Sequence, residues 1–166
     1  MSIPYEVSAE PDLVEVVFEL PESHSHAGIR TETLWAAPFD DSRFRVLNTP
    51  FHITGVSLHD IITATPLPGW EGRFLFGRVE RKSGRSTYRI LTYPETTLSA
   101  FLAAWKPLEA LGCSHEQPPG ELTALHAVDV PQSAGIAEVL VLLREGQVAD
   151  VWDFEQGDCG HVMVSG

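Results

Sequence analysis

The sequence predicts an α+β protein, with a small antiparallel β-barrel-like half over residues 12–82 followed by a ferredoxin-like (βαββαβ) half over 83–157. Three observations predict it. Apolar residues alternate with polar ones in short runs up to Tyr93, the period of half-buried strands. Beyond Pro94 the period lengthens to three and four in two stretches, the spacing of amphipathic helices. Extended chain separates those two stretches, so the order from Ser86 is strand, helix, strand, strand, helix, strand.

Residues 1–11 precede any periodic pattern and read as a flexible lead-in. Val14, Val16, Phe18 and Leu20 share one strand face, and the polar 21–28 stretch after them, with Pro21 and Gly28, is a loop. Glu32–Ala37 and Arg43–Leu47 form a hairpin about Asp40-Asp41-Ser42. Phe51–Val56 is expected to be short and extended, with Phe51 plugging the barrel, and Asp60–Thr65 to be a β-branched strand. Pro66-Leu67-Pro68-Gly69 makes a turn, Arg73–Arg81 a strand, Ser83-Gly84-Arg85 a second tight turn and Ser86–Tyr93 another strand. Strands at this spacing without an intervening helix suggest a small barrel or curled sheet.

In the second half Leu98, Phe101, Leu102, Trp105 and Leu108 mark a helix capped by Thr96 or Thr97 and ended by Gly112. Pro107 lies inside it and predicts a kink or break near Trp105. Cys113–Pro118 is an irregular edge strand and Leu122–Val130 a strand closed by Pro131. Ser133 is expected to cap a second helix with Ile136, Val139, Leu140 and Leu143 inward and Gly146 as its stop, before a last strand over Val148–Phe154 and a tail over 158–166.

The composition narrows the function classes. The chain of 166 residues is 43% hydrophobic and buries enough surface to fold without metal or disulfide. No apolar run approaches the roughly 18 residues of a membrane span, and no basic-then-apolar leader opens the sequence. A cytoplasmic protein with Cys113 and Cys159 as free thiols is expected, with no membrane partner. Residues 1–90 hold nine Lys and Arg against twelve Asp and Glu, whereas 91–166 hold two, Lys106 and Arg144, against eleven. So acidic a second half disfavours nucleic acid and favours a basic protein partner, or serves only solubility.

A family likeness rests on particular residues. They are Thr33-Leu34-Trp35-Ala36, then Arg43 through Phe51, then Gly55-Val56-Ser57-Leu58 with Asp60. Ser83 to Thr87, Leu111-Gly112-Cys113 through Glu116, Ala127 to Pro131, and Trp152-Asp153-Phe154-Glu155 continue it. Over roughly residues 13–157 the chain resembles the bacterial family of domains of unknown function 4265. That resemblance implies no reaction, ligand or catalytic residue.

Five groups of residues bear on chemistry or binding, beside a Cys113 nucleophile with His115, His126 or His161 as base, which no helix N-terminus activates and no orienting residue completes. Cys113 and His115, with Cys159 and His161, repeat a Cys-x-His pattern and supply four donors for a zinc ion. In a ferredoxin-like half the two pairs lie at one end of the sheet but on opposite edges, about 14 Å apart, so the tail would have to reach across; otherwise Cys113 is packed and His115 lies on the surface. Ser23-His24-Ser25-His26 suits a weak metal or pH-sensitive loop, or merely a solvated one. Ser83, Gly84, Arg85, Ser86 and Thr87, in the chain's one basic stretch, suit a phosphate or carboxylate of a small anionic ligand, or a hairpin turn satisfying its own backbone. Asn48-Thr49-Pro50-Phe51 reads as structural. Trp70 in its Pro-Gly turn, with Glu138, Glu145, Asp150 and Asp153, is the expected partner surface.

No nucleophile elbow, phosphate loop, dinucleotide fingerprint or metalloprotease helix is present. Catalytic residues are therefore assigned to none, and the expected function is a non-catalytic binding or regulatory protein, of which an immunity-type neutraliser of a basic toxin is one form. A small enzyme or anion-binding protein built on the Ser83–Thr87 turn, and a zinc-supported domain, are the alternatives.

Overall fold

The computed structural model describes residues 12–22, 28–118 and 124–162. The expected lead-in, the Ser23–His26 loop and the start of the strand predicted from Leu122 lie wholly or partly outside the described residues. Over the described residues the protein is a mixed, strand-rich α/β structure with a closed five-stranded barrel, a second four-stranded sheet and two helices.

The barrel follows from the alternation. β1 (Val14–Glu19), β2 (Thr31–Pro38), β3 (Arg43–Val46), β4 (Ile61–Pro66) and β5 (Arg73–Arg81) pair in sequence order, each antiparallel to the next. A parallel pairing of β1 with β5, Val16 opposite Phe74, closes the ring. Val16, Phe18, Leu34, Val46 and Ile62 fill it, with Phe18 stacked on Phe76 at 4.5 Å.

The second sheet, in the order β7-β8-β6-β9, is antiparallel throughout. Its strands are β6 (Ser86–Thr92), β7 (Ser114–Glu116), β8 (Leu125–Val130) and β9 (Trp152–Asp158). Helices α1 (Leu98–Ala110) and α2 (Ile136–Val148) connect them and share one buried cluster with the sheet: Phe101, Trp105 and Leu108 from α1, Val139 and Leu143 from α2, Tyr88, Ile90, Val128 and Trp152 from the strands. No helix among the described residues is long and apolar enough to cross a membrane.

Thr97 caps α1, its hydroxyl accepting the Ala100 N–H at 3.1 Å, and Gly112 follows its end with φ +95°. The break expected at Pro107 does not occur. Pro107 and Ala103 both lie on the solvent side, where water can bond the carbonyl that Pro107 leaves without a helical donor. Ser133 does not cap α2; Gly135 occupies that position without a side-chain bond, because the chain turns there through Ala134 N–H to the Pro131 carbonyl. Nor does Gly146 end the helix. It is buried, and a Cβ there would stand 2.3 Å from the Trp152 indole. The left-handed residue that stops α2 is Asp150, at φ +57°, whose N–H bonds the Gln147 carbonyl. The last strand accordingly begins at Trp152 rather than Val148.

The segment joining β3 to β4 is not the expected extended piece. Glu32, pointing inward from β2, accepts the backbone N–H groups of Phe51, His52 and Ile53 at 2.6, 2.8 and 2.9 Å. From the second sheet the buried Arg89 guanidinium donates to the Ile53 carbonyl. Held between these two charges, the segment puts Ile53 and Val56 into the barrel core and leaves Phe51 half-buried at its rim, so Phe51 is not the plug.

Candidate functional site

The turn between β5 and β6 lies where barrel and sheet meet, and its polar groups are engaged internally. Asp60, with no exposed surface, accepts the N–H groups of Ser57 and Ser83 and pairs with Lys82, which also reaches Asp158. Ser83 Oγ donates to the Leu58 carbonyl, and Thr87 Oγ1 lies 2.8 Å from Ser57 Oγ. Arg85 grips Asp129 with two nitrogens, which raises the pKa of the guanidinium. Gly84 supplies the positive φ of the turn, +90°. These five residues are brought together as expected, but their donors bind the protein itself.

Ser86 and His161 make a pair that the sequence did not suggest. Ser86 Oγ lies 2.6 Å from His161 Nδ1, while His161 Nε2 lies 3.0 Å from the Pro131 carbonyl. Because a carbonyl only accepts, Nε2 carries the proton and Ser86 donates to Nδ1. That is the hydrogen-bond sense of a nucleophile and its base. Ser86, however, has no exposed surface, and its oxygen also accepts from the N–H groups of Gly160 and His161 at 3.0 and 3.3 Å. An oxygen so enclosed cannot meet a substrate carbon, so the pair is a latch that fastens the 159–161 segment over β6.

The two Cys-x-His pairs are not assembled: the tail does cross from β9, but His161 is taken by Ser86 and the Pro131 carbonyl, whereas His115 turns to His126. Cys113 is buried, its thiol pushed up to about 11 by desolvation. His115 meets His126, Nδ1 to Nδ1 at 3.1 Å, within the rings of Phe101 and Trp105. Burial lowers the pKa of both histidines, that of His126 to about 4. Among the described residues no three His, Cys, Asp or Glu side chains gather as a metal group.

The helical layer presents what is left over. Pro107, Ala110 and Leu111 of α1 and its exit face Val141 and Leu142 of α2 across an open groove of about 540 Å³, with Glu138 at its edge. Val141 and Val148, seven residues apart, are 53% and 83% exposed. Glu145 lines the continuation of the groove, in which Arg144 is the basic residue. Of the expected partner residues, Glu138, Glu145, Asp150 and Asp153 are all exposed on this half. Asp153 accepts from Gln147 and Tyr93, which lowers its pKa, and Tyr93 rises in response. Trp70 stands apart on the barrel, 60% exposed beneath the Arg73 guanidinium at 4.9 Å. The valines were missed because only the inward stripe of α2 was read; they repeat at helical spacing on its outer side.

A crystal structure of a hypothetical protein from Neisseria gonorrhoeae shares the fold, with a TM-score of 0.69 at 16% identity, covering 90% of this chain and 96% of that one. No match was found among curated proteins. The family model "Domain of unknown function (DUF4265)" matches residues 32–154, well over half of the 166, and the chain belongs to that family.

Proposed function

We propose that the protein is a non-catalytic binding module whose helical layer docks a basic amphipathic helix of a protein partner. The observation that carries this reading is the α1–α2 groove, an apolar floor with exposed Val141 and Val148 and acidic Glu138 and Glu145 along it. An apolar helix face would cover the valines, and its Lys or Arg flanks would meet the glutamates. A second copy of this chain would instead bring acidic groups against acidic groups. The βαββαβ order with strands arranged β7-β8-β6-β9 supports a ferredoxin-like reading of this half, whose helices then form one outward layer. Two free cysteines support a reducing, cytoplasmic setting.

The test is calorimetric titration with a designed Leu/Lys helical peptide. Binding should weaken about tenfold when salt is raised from about 0.05 M to about 0.5 M, and disappear in the double variant Val141→Asp, Val148→Asp. Binding that ignores both changes, or self-association of the protein through the same valines, overturns the proposal.

A further inference from the structure

A second concavity lies on the barrel side of the sheet, where β2 and the clamped 48–52 segment meet the β7 edge. It encloses about 660 Å³, within the range of small-ligand sites. Trp35 forms one wall. It points outward from β2, between inward-facing Leu34 and Ala36, and is 47% exposed. Its backbone is held on both sides, its N–H donating to Asn48 Oδ1 at 2.8 Å and its carbonyl accepting from Leu47 at 2.9 Å. Phe51 and His52 form another wall, fixed by the Glu32 carboxylate that takes their N–H groups. The cleft is thus built before any ligand arrives. On the sheet side stands Glu116, exposed and without an ion pair among the described residues.

The lining holds no Lys or Arg, and its exposed carboxylate is Glu116, that of Glu32 being taken up by the 51–53 N–H groups. The exposed aromatics elsewhere on the barrel differ in just this respect. Trp70 lies under Arg73, and Phe39 under Arg43 and Arg81. Among the described residues no guanidinium or ammonium covers Trp35. Its ring face is negative, and Phe51 and the Glu116 carboxylate line the same cleft.

We infer that this cleft binds an organic cation, a quaternary alkylammonium group such as a choline-type headgroup or a trimethylated lysine. Anions find no Lys or Arg here, and the Glu116 carboxylate opposes them. A primary ammonium holds its water more tightly than aromatic walls can replace, whereas a quaternary one sheds hydration readily and is attracted by ring faces. This site does not depend on the α1–α2 groove and stands or falls separately.

The experiment titrates choline, a peptide carrying trimethyl-lysine, and the neutral choline isostere 3,3-dimethylbutan-1-ol, following the tryptophan indole NMR signals. At least one cation should shift a single indole, and the isostere should bind about tenfold more weakly. Trp35→Ala should abolish cation binding measured by calorimetry at unchanged melting temperature, and the surface change Glu116→Lys should abolish cation binding without touching the ring. If the peptide binds and choline does not, or the reverse, the source of the ammonium is identified. Equal binding of the isostere, no binding of either cation, or full binding by Glu116→Lys overturns the inference.

Discussion

The barrel and the second sheet solve burial differently, and the difference decides where most apolar surface is left exposed. The barrel closes on itself, so its five strands leave no open edge, and its exposed Trp70 and Phe39 lie under arginines of its own. The second half ends in two edge strands and covers one sheet face with two helices, whose outer side leaves Val141, Val148, Leu98 and Leu102 more than half exposed. Residues 91–166, most of this half, hold eleven acidic residues against two basic ones. A closed element completes its contacts alone, whereas an open layered one leaves apolar surface for another molecule to cover. What joins the halves is a set of buried charges and hydroxyls rather than a shared apolar core.

The strongest way to break that comparison is at the joint. Replacing Glu32 with Ala leaves three N–H groups of the 51–53 segment without their acceptor and takes a balancing charge from buried Arg89, whose Nε already lacks a partner. A loss of about 3 kcal/mol is expected, or a fall of about 10 °C in melting temperature. Glu32→Gln, which keeps one good acceptor oxygen, should fall between. If Glu32→Ala costs less than about 1 kcal/mol, the apolar contacts of Ile53 and Val56 hold the segment instead.

Acid should separate the halves next. His126 is buried in the aromatic cluster of the second half and its pKa is lowered to about 4, first by desolvation and then by His115. The unfolded chain takes up a proton near pH 6.5 and the folded one only near 4, so stability is complete above 6.5 and declines as pH falls through that window. Between pH 7 and pH 5 the loss is about 2 kcal/mol, and His115 shifts in the same direction. His126→Phe should flatten the decline. Hydrogen exchange should show β8 and α1 opening before the barrel strands; barrel strands opening first would reverse the comparison.

Legibility in the sequence also divides along the chain. Alternation placed β1 nearly to the residue, because a half-buried strand writes its period into every second side chain, whereas β5, which does not alternate, was bounded by its Phe and Val content and the turns on either side. The 48–60 segment was illegible, since its shape comes from Glu32 and Arg89, 21 and 36 residues from Ile53 in opposite directions. The end of α2 was misread because glycine is the usual left-handed stop, and here Asp150 takes that conformation while Gly146 makes room for Trp152. At the turn, Ser83 to Thr87 were recognised as a polar cluster, but their partners Ser57, Asp60 and Asp129 are remote in sequence. Donor-rich turns look alike in sequence whether they await a ligand or hold the fold.

The smallest effect concerns the latch at the free end of β9. Ser86→Ala removes an acceptor for two N–H groups and the donor to His161 Nδ1. Water can replace most of these bonds once the segment lifts, so the cost should be about 1 kcal/mol and local rather than global. The readouts are faster exchange at the Gly160 amide and faster alkylation of Cys159, now partly shielded with its Sγ 3.8 Å from the His161 carbonyl. Cys113 under the sheet should stay unreactive and serves as the internal control. Faster alkylation at both cysteines would mean that the latch supports the whole second half, in which case the open layer depends on its terminal strap as strongly as the barrel depends on closure.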